Sequence, residues 1–281
     1  MASSSVRTRY RKDDSLLSAV RACNKDRVEK LLKEGVNPND GKSLLVAFKC
    51  GDVTIFYLLI THPNINLFIK DDDDMGILHY IAMNGKYIIS DEDETYQLNL
   101  INHVLSKGVN INDISKNGTA LDIAMKNGNY LIASMLIQHK CIFNDQHILA
   151  SLNDDVASSS LFREMLAQTK LGHPLDDQFI WTLLMTIAKN GLVDHLYQLI
   201  ILYHANVKRI VNRFDINRMT ALHYASLDNN VEMVELLLKF GANKDLKRID
   251  DKKPIDLATE GDVRVLLAPE DLNKIEYDSD Y

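Results

Sequence analysis

One short pattern recurs along the chain and constrains its fold more than any other feature. A small polar residue is followed by a Leu, an Ala about three positions later, a Gly or Asn, and a second apolar helical segment. The clearest copy begins with Thr220, Leu222 and Ala225 and ends with Gly241. Repetition at a period of about 20 to 50 residues is typical of chains that stack one supersecondary unit many times.

The copies are spaced at similar intervals along the whole chain. Their apolar anchors are Leu16, Leu44, Leu78, Leu121, Leu149, Leu184, Leu222 and Ile255. The steps between successive anchors are 28, 34, 43, 28, 35, 38 and 33 residues. A single unit cannot bury its apolar stripe, so stacked units must supply a shared core.

These residues resemble the ankyrin repeat, whose pattern is TPLHxAA, then a tight turn, then VVxLLLxxGADVN. The resemblance covers residues 13–267 and implies an all-α solenoid of about seven or eight helix-turn-helix repeats with short hairpin loops. The copy near 146–175 is degenerate because it loses the Ala and Gly positions. Residues 1–12 are basic and residues 268–281 are acidic, and both segments are expected to be flexible tails.

Two of these steps, 43 and 38 residues long, are clearly longer than the ankyrin period of about 33 residues and predict insertions. The first lies near residues 86–97 and reads as an acidic loop between two helices. The second lies near residues 203–214 and carries Lys208, Arg209 and Arg213. Insertions in repeat arrays occur in exposed loops, so each segment is either a partner-binding loop or a tolerated extension.

Charge and composition exclude several classes of function. The net charge of −7 and the pI of about 5.7 argue against nucleic-acid binding, which needs a concentrated field of Lys and Arg. No apolar run is long enough to span a membrane, and no N-terminal apolar segment indicates a secretion signal. A cytoplasmic protein without membrane association is therefore expected.

Three cysteines, Cys23, Cys50 and Cys141, are far apart and form no CxxC pair. This arrangement fits a reducing compartment. Each lies in or beside an apolar helical segment, which favours a small buried side chain over a nucleophile or a metal ligand.

No pattern of a catalytic, metal or cofactor site is present. His79 and His223 occupy the His of the TPLH motif, where the resemblance implies that the ring braces neighbouring turns. The spacings typical of zinc sites, phosphate-binding loops and serine hydrolases are missing. The run from Asp71 to Asp74 lacks the spacing of a calcium loop and is interpreted as an acidic docking edge. We therefore expect no catalytic residues, no metal and no cofactor.

The resemblance implies a monomeric, non-enzymatic protein-protein interaction module that acts as an adaptor, inhibitor or effector through a concave groove. One alternative is a bacterial effector delivered into a host cytosol, which the acidic C-terminal tail and the Asn-, Lys- and Ile-rich composition would suit. A second is an enzyme with a catalytic insertion, for which the repeats leave little chain. A third is an inhibitor like those of NF-kappa-B, although the paired-serine DSGxxS motif of their N-terminal tail is missing.

Members of the ankyrin family bind partners with the hairpin tips and the exposed side of the first helices. The matching positions here are Asp72, Asp73, Met75, Met83, Asn84, Lys116, Lys126, Ile216, Asn217, Met219, Leu227 and Asp228. The three Met residues, the Ile and the Leu of this set are predicted to contact the partner, because the repeat core does not require apolar side chains there. Asp72 and Asp73 are predicted to attract a partner with a basic surface.

Overall fold

The computed structural model describes residues 15–83, 94–153, 155–172 and 174–269. Within them, sixteen α-helices follow one another as eight pairs. The chain divides into two compact units, Met1–Phe143 and Asn144–Tyr281. The predicted all-α, helix-turn-helix class is confirmed.

The first unit contains four helix pairs. Its helices are α1 Leu16–Arg21, α2 Lys25–Lys33, α3 Ser43–Cys50, α4 Val53–Ile60, α5 Ile77–Met83, α6 Glu94–Ser106, α7 Ala120–Lys126 and α8 Tyr130–Gln138. A short 3-10 helix, Asp40–Lys42, precedes α3, and the antiparallel strands β1 Ile114–Ser115 and β2 Gly118–Thr119 form a hairpin before α7. The first helices of the pairs stack in order, α1 on α3, α3 on α5 and α5 on α7.

The second unit contains four further pairs. Its helices are α9 Asp145–Ala150, α10 Val156–Leu171, α11 Asp177–Lys189, α12 Val193–Ile210, α13 Ala221–Leu227, α14 Val231–Lys239, α15 Pro254–Leu257 and α16 Gly261–Leu267. Here α11, α13 and α15 stack as one layer, and α10, α12, α14 and α16 stack as the other. Each unit is therefore a two-layer array in which every pair packs on its neighbours.

The core follows the repeat pattern. Six of the eight predicted anchors are at most 4% exposed, namely Leu16, Leu44, Leu78, Leu121, Leu184 and Leu222. Ala124 and Ala225 are fully or almost fully buried, because a small side chain lets adjacent first helices approach closely. Gly35, Gly108 and Gly241 follow second helices with φ of 85°, 85° and 88°. This left-handed conformation ends a helix at little cost only for Gly.

The fifth anchor was placed at the wrong residue. The Asn144 side chain caps α9 by accepting hydrogen bonds from the backbone N–H groups of Gln146 and His147, and His147 Nδ1 accepts one from the Asn144 N–H at 3.1 Å. Thr220 and His223 make the matching His contact at the start of α13, so His147 corresponds to His223. Gln146, which is exposed, therefore occupies the anchor position that Leu149 was expected to hold.

Two further predictions are corrected by the structure. Residues 203–210 are helical, because α12 continues to Ile210 with a kink at Tyr203, so the segment is not an exposed loop. Its Arg209 forms an ion pair with Asp177 of α11 at 2.6 Å. Cys23 and Cys50 are exposed, because both lie where the first helices end, whereas Cys141 is buried as expected. The predicted insertion near 86–97 lies largely outside the described residues.

The pair α9 and α10 is expected to be the least protected part of the second unit. Helix α9 has six residues, of which Ile148 alone is buried, so little apolar surface holds it in place. Hydrogen exchange measured by mass spectrometry should show faster amide exchange in α9 than in α13. Protection of α9 equal to that of α13 would contradict this expectation.

Candidate protein-binding surfaces

The hairpin tip before α5 is organised by one carboxylate. Asp71 accepts hydrogen bonds from the backbone N–H groups of Asp73 and Met75, both at 2.9 Å, and from the Tyr80 hydroxyl. The ammonium group of Lys49 lies 3.6 Å from the same carboxylate. The hydrogen bond from Tyr80 connects the tip to α5.

The tip before α13 has the same arrangement. Asp215 accepts hydrogen bonds from the N–H groups of Asn217 at 2.9 Å and Met219 at 3.0 Å, and from the Tyr224 hydroxyl at 2.6 Å. The ammonium group of Lys189 lies 5.1 Å from the centre of the Tyr224 ring. The ankyrin pattern does not single out these Asp residues, although each lies eight residues before its motif His.

These contacts set the ionisation of both tips. Burial raises the pKa of Asp71 and Asp215, but the Tyr hydroxyl and the two backbone N–H groups outweigh it, so both pKa values are below the ordinary value. Burial and the neighbouring carboxylate raise the pKa of Tyr224 to about 12. Both carboxyl groups are therefore charged acceptors at neutral pH, which makes their hydrogen bonds stronger than neutral ones.

The two motif histidines are buried and hold the chain together locally. His79 Nδ1 accepts a hydrogen bond from the Gly76 N–H at 3.0 Å, and its Nε2 lies 3.1 Å from the carbonyl oxygen of Asp113 on the next tip. His223 Nδ1 accepts from the Thr220 N–H at 3.1 Å. His79 therefore braces two neighbouring tips, as the ankyrin resemblance implies, whereas the hydrogen bond of His223 lies within its own turn.

Burial lowers the pKa of His79 and His223 below the ordinary value of 6.5. The unfolded chain therefore binds more protons than the folded chain as the pH falls through 6.5, so stability is full above this pH and decreases below it. We expect urea unfolding to give a lower free energy at pH 5.5 than at 7.5, by at most about 1.4 kcal/mol per His, because pH 5.5 lies only one unit below the unfolded pKa of 6.5. The His79→Gln, His223→Gln variant should show a smaller decrease, and an equal decrease would contradict the assignment.

In the first unit, the carboxylates of the predicted acidic edge are paired with lysine side chains. The Asp72 carboxylate lies 3.4 Å from Lys42 Nζ, and the Asp73 carboxylate lies 3.4 Å from Lys116 Nζ. The Lys116 N–H also donates to the Asp73 carbonyl oxygen at 3.0 Å, which joins neighbouring tips. Exposed ion pairs of this kind contribute at most about 1 kcal/mol, so a charged partner can replace them.

The other predicted residues of the first unit are placed differently. Met75 is 5% exposed, so the expectation of an exposed apolar side chain is wrong for it. Its backbone N–H donates a hydrogen bond to Asp71, and its sulfur lies 3.3 Å from Asn117 Nδ2. The Met75 side chain therefore packs beneath the tip. Met83 is half-buried at the end of α5, Lys126 is exposed at the end of α7, and Asn84 lies outside the described residues.

In the second unit, Ile216 is 92% exposed at the hairpin tip, and Leu227 is 49% exposed at the end of α13. Asn217 and Asp228 beside them are also exposed. Met219 is only 5% exposed, so the expectation of an exposed apolar side chain is wrong for it as well. Its N–H donates a hydrogen bond to Asp215, and its side chain packs beneath the tip as that of Met75 does.

Ile249 is an exposed apolar residue that was not predicted from the sequence. Ile249, on the next tip, is 68% exposed, and its N–H donates to the Asn217 carbonyl oxygen at 3.2 Å. This bond places Ile249 on the tip adjoining that of Ile216. We call these two residues the apolar tip surface. The repeat spacing could have located Ile249, since it lies 33 residues after Ile216. In the structure, Arg218 and Asp251 both have a positive φ, two residues after each isoleucine.

The second unit also has a cavity of about 330 Å³ near the N-terminal ends of α10, α12 and α14. Asp155, Asp194 and Glu232 line it, together with His195 and Ser159. Carboxylates at helix N-terminal ends are stabilised by the helix dipole, so their position has a structural explanation.

Neither a metal centre nor a membrane-spanning helix is found in the described part of the chain. In these residues, no three His, Cys, Asp or Glu side chains are grouped so that they could hold a metal ion. Every helix described is too short or too polar to cross a lipid bilayer.

Comparisons with known proteins agree with this architecture. The family model of ankyrin repeats matches three copies, over residues 147–248 and 184–275. Protein glp-1 of Caenorhabditis elegans is 28% identical over 216 residues, which is 71% of this chain but 16% of glp-1, so the chain spans less than a fifth of that relative. The crystal structure of the human ASB11 ankyrin repeat domain aligns with a TM-score of 0.51 and 20% identity, covering 80% of this chain and 98% of that domain.

Proposed function

Because the chain is an ankyrin-repeat protein, we propose that it is a protein-binding module whose second unit contacts a partner through the apolar tip surface of Ile216 and Ile249. The observation that carries this proposal is the exposure of these two side chains, 92% and 68%, on adjoining tips. Single exposed apolar residues are common on protein surfaces, but neighbouring ones on ordered tips are typical of interaction sites.

The tips beneath these side chains are held by hydrogen bonds. Asp215 fixes the first tip through three hydrogen bonds, and Asn217 joins it to the second. Asn217 and Asp250, both exposed, directly follow the two isoleucines in sequence and supply a polar rim. An apolar centre on a rigid support with a polar rim resembles the arrangement of a binding hot spot, because little conformational entropy is lost on contact.

The partner proposed for this surface is a protein segment with apolar side chains. Leu227 and Asp228, at the end of α13, extend the proposed contact along the first helix of the same repeat. In the first unit, Asp72, Asp73, Met83, Lys116 and Lys126 are proposed to contact a partner with basic groups, which would compete with Lys42 and Lys116 for the two carboxylates.

The proposed role is that of an adaptor, inhibitor or effector that binds and does not catalyse. A cytoplasmic site of action is part of the proposal, since Cys23, Cys50 and Cys141 are free thiols and suit a reducing compartment. The proposed solution state is a monomer.

A photo-crosslinking experiment tests the proposal. The photoreactive residue p-benzoylphenylalanine replaces Ile216 or Ile249, and it replaces Ile201 as a control. Ile201 is 73% exposed on α12 and lies outside the tips. Irradiation in cell extract should attach the same protein to positions 216 and 249 and not to 201. Crosslinks formed equally at all three positions would refute the proposed surface.

A further inference from the structure

The apolar tip surface lies in a strongly basic part of the second unit. Segments 208–218 and 244–253, which contain Ile216 and Ile249, carry nine Lys and Arg residues and four Asp residues. The whole chain, in contrast, has a net charge of −7. Positive charge is therefore concentrated around the two exposed isoleucines, and the proposed function does not yet use it.

The acidic side chains of these segments already have partners within the fold. The Asp215 carboxylate accepts the three hydrogen bonds that hold its tip. The other three carboxylates form ion pairs, Asp245 with Lys253 at 2.8 Å, Asp250 with Arg248 at 2.7 Å and Asp251 with Lys247 at 3.5 Å. What remains around the apolar tip surface is an excess of cations.

Three exposed cations beside the first tip have no such partner. In the described part of the chain, no carboxylate forms an ion pair with Lys208, Arg213 or Arg218, whereas Arg209 is paired with Asp177. Lys208 is in the last turn of α12, where a cation is stabilised by the helix dipole. Arg213 and Arg218 lie beyond the helix, so that explanation does not apply to them. They precede and follow Ile216 by three and two residues.

An aromatic ring extends the apolar tip surface on the same tip. Phe214 is 52% exposed, and the guanidinium carbon of Arg218 lies 5.3 Å from the centre of its ring. The Arg218 N–H donates to the Asp215 carbonyl oxygen at 2.9 Å, and the Asp215 N–H donates to that of Met219 at 2.9 Å. The turn that carries this stacked pair is therefore closed. A stacked guanidinium presents a planar set of N–H donors whose geometry matches that of a carboxylate.

We propose that the partner segment of the apolar tip surface is an acidic peptide that also carries apolar side chains. Its Asp or Glu carboxylates pair with Arg213 and Arg218. Its apolar side chains contact Ile216 and Ile249 and the exposed face of Phe214. The inference rests on the proposed function, because it names the chemistry of the partner at the same surface.

The two kinds of group have separate effects on binding. Complementary charges at the rim increase the association rate and discriminate against basic segments, and apolar contacts at the centre slow dissociation. A nucleic acid would also be attracted by the cations, but the two isoleucines offer its bases no aromatic ring on which to stack. The net charge of the chain opposes a polyanion as well. The observations therefore favour a peptide.

Selection from a phage-displayed library of random linear peptides on the immobilised full chain tests the proposal. The enriched peptides should carry a net negative charge together with apolar or aromatic residues. Synthetic copies of them should bind at least about tenfold more weakly when the salt is raised from about 0.05 M to about 0.5 M, as measured by fluorescence anisotropy. Enriched peptides that are neutral or basic, or a selection without enrichment, would overturn the proposal.

Matched variants locate the charge effect. Arg213→Glu and Arg218→Glu should each weaken binding of the enriched peptides at least about fivefold. Arg163→Glu is the control, since it makes the same change at an exposed position of α10 and should leave the affinity unaltered. Circular dichroism should show the wild-type fold in all three variants, and Arg213, which lies outside the closed turn, keeps the test valid if Arg218→Glu disturbs that turn. Equal affinities of Arg213→Glu and Arg163→Glu would show that the cations take no part.

The Ile216→Ser, Ile249→Ser variant separates failure of this inference from failure of the proposed function, because it removes apolar surface without adding charge. It should bind the enriched peptides at least about tenfold more weakly. Peptides that depend on the two isoleucines but carry no acidic residues would refute the inference and leave the proposed surface in place. Peptides that bind this variant like the wild type would refute both. A single-stranded DNA oligonucleotide that bound more tightly than the enriched peptides and displaced them would identify a nucleic-acid surface and also overturn the inference.

Discussion

The Ile216→Asp, Ile249→Asp variant is expected to bind the natural partner at least about 100-fold more weakly than the wild type. Burying one Ile side chain in an interface contributes about 1.5 to 3 kcal/mol, and a loss of about 2.7 kcal/mol already corresponds to that ratio. An aspartate in either position also brings a charge that the partner must desolvate. Titration calorimetry with the partner identified by crosslinking measures the effect.

The same variant should leave the fold intact, because both side chains are exposed in the free protein. Its circular dichroism spectrum and melting temperature should match those of the wild type. The control is Ile201→Asp, which makes the same change at a 73% exposed position on α12. Equal affinity of the tip variant and the control would place the interface elsewhere.

The fold was predictable because the repeat encodes burial directly. Anchors such as Leu121 and Leu222 are buried in their helix pairs, and the φ of 88° after α14 favours Gly at position 241. The prediction was wrong at Leu149, where the apolar spacing and the helix cap disagree. The Asn144 cap defines the register of α9, and a pattern based on apolar residues does not detect it.

The candidate surface was less predictable, since the exposure of a tip side chain depends on the backbone conformation of that tip. Met75 and Ile216 are both apolar residues on hairpin tips, yet they are 5% and 92% exposed. Met75 lies four residues after Asp71, and the hydrogen bond to that carboxylate draws its backbone towards the first helix. Ile216 directly follows Asp215 and points away from the tip's support. The spacing of the apolar residues does not contain this information, whereas their distance in sequence from the Asp does.

The central role of that Asp leads to a large expected effect on stability. Asp215→Ala should lower the free energy of unfolding by about 3 kcal/mol, because hydrogen bonds to a charged group contribute about 1.5 to 3 kcal/mol each and water can replace part of them. The backbone N–H groups of Asn217 and Met219 and the hydroxyl of Tyr224 would lose their acceptor. Urea unfolding followed by circular dichroism measures the change.

Asp250→Ala is the matched control, since Asp250 is also on a tip and forms ion pairs with the partly buried Arg248 at 2.7 Å and with the exposed Lys252 at 3.9 Å. It should cost at most about 1 kcal/mol. A double-mutant cycle of Asp215→Ala with Tyr224→Phe should give a coupling energy of about 1 to 2 kcal/mol, because the two groups share one hydrogen bond. The pKa of Asp215 is lowered in the folded state, so its contribution should persist above pH 3.8 and disappear as the pH falls further. If Asp215→Ala were no more costly than Asp250→Ala, the tip would be held by its apolar contacts, and the carboxylate would not be what orders the apolar tip surface.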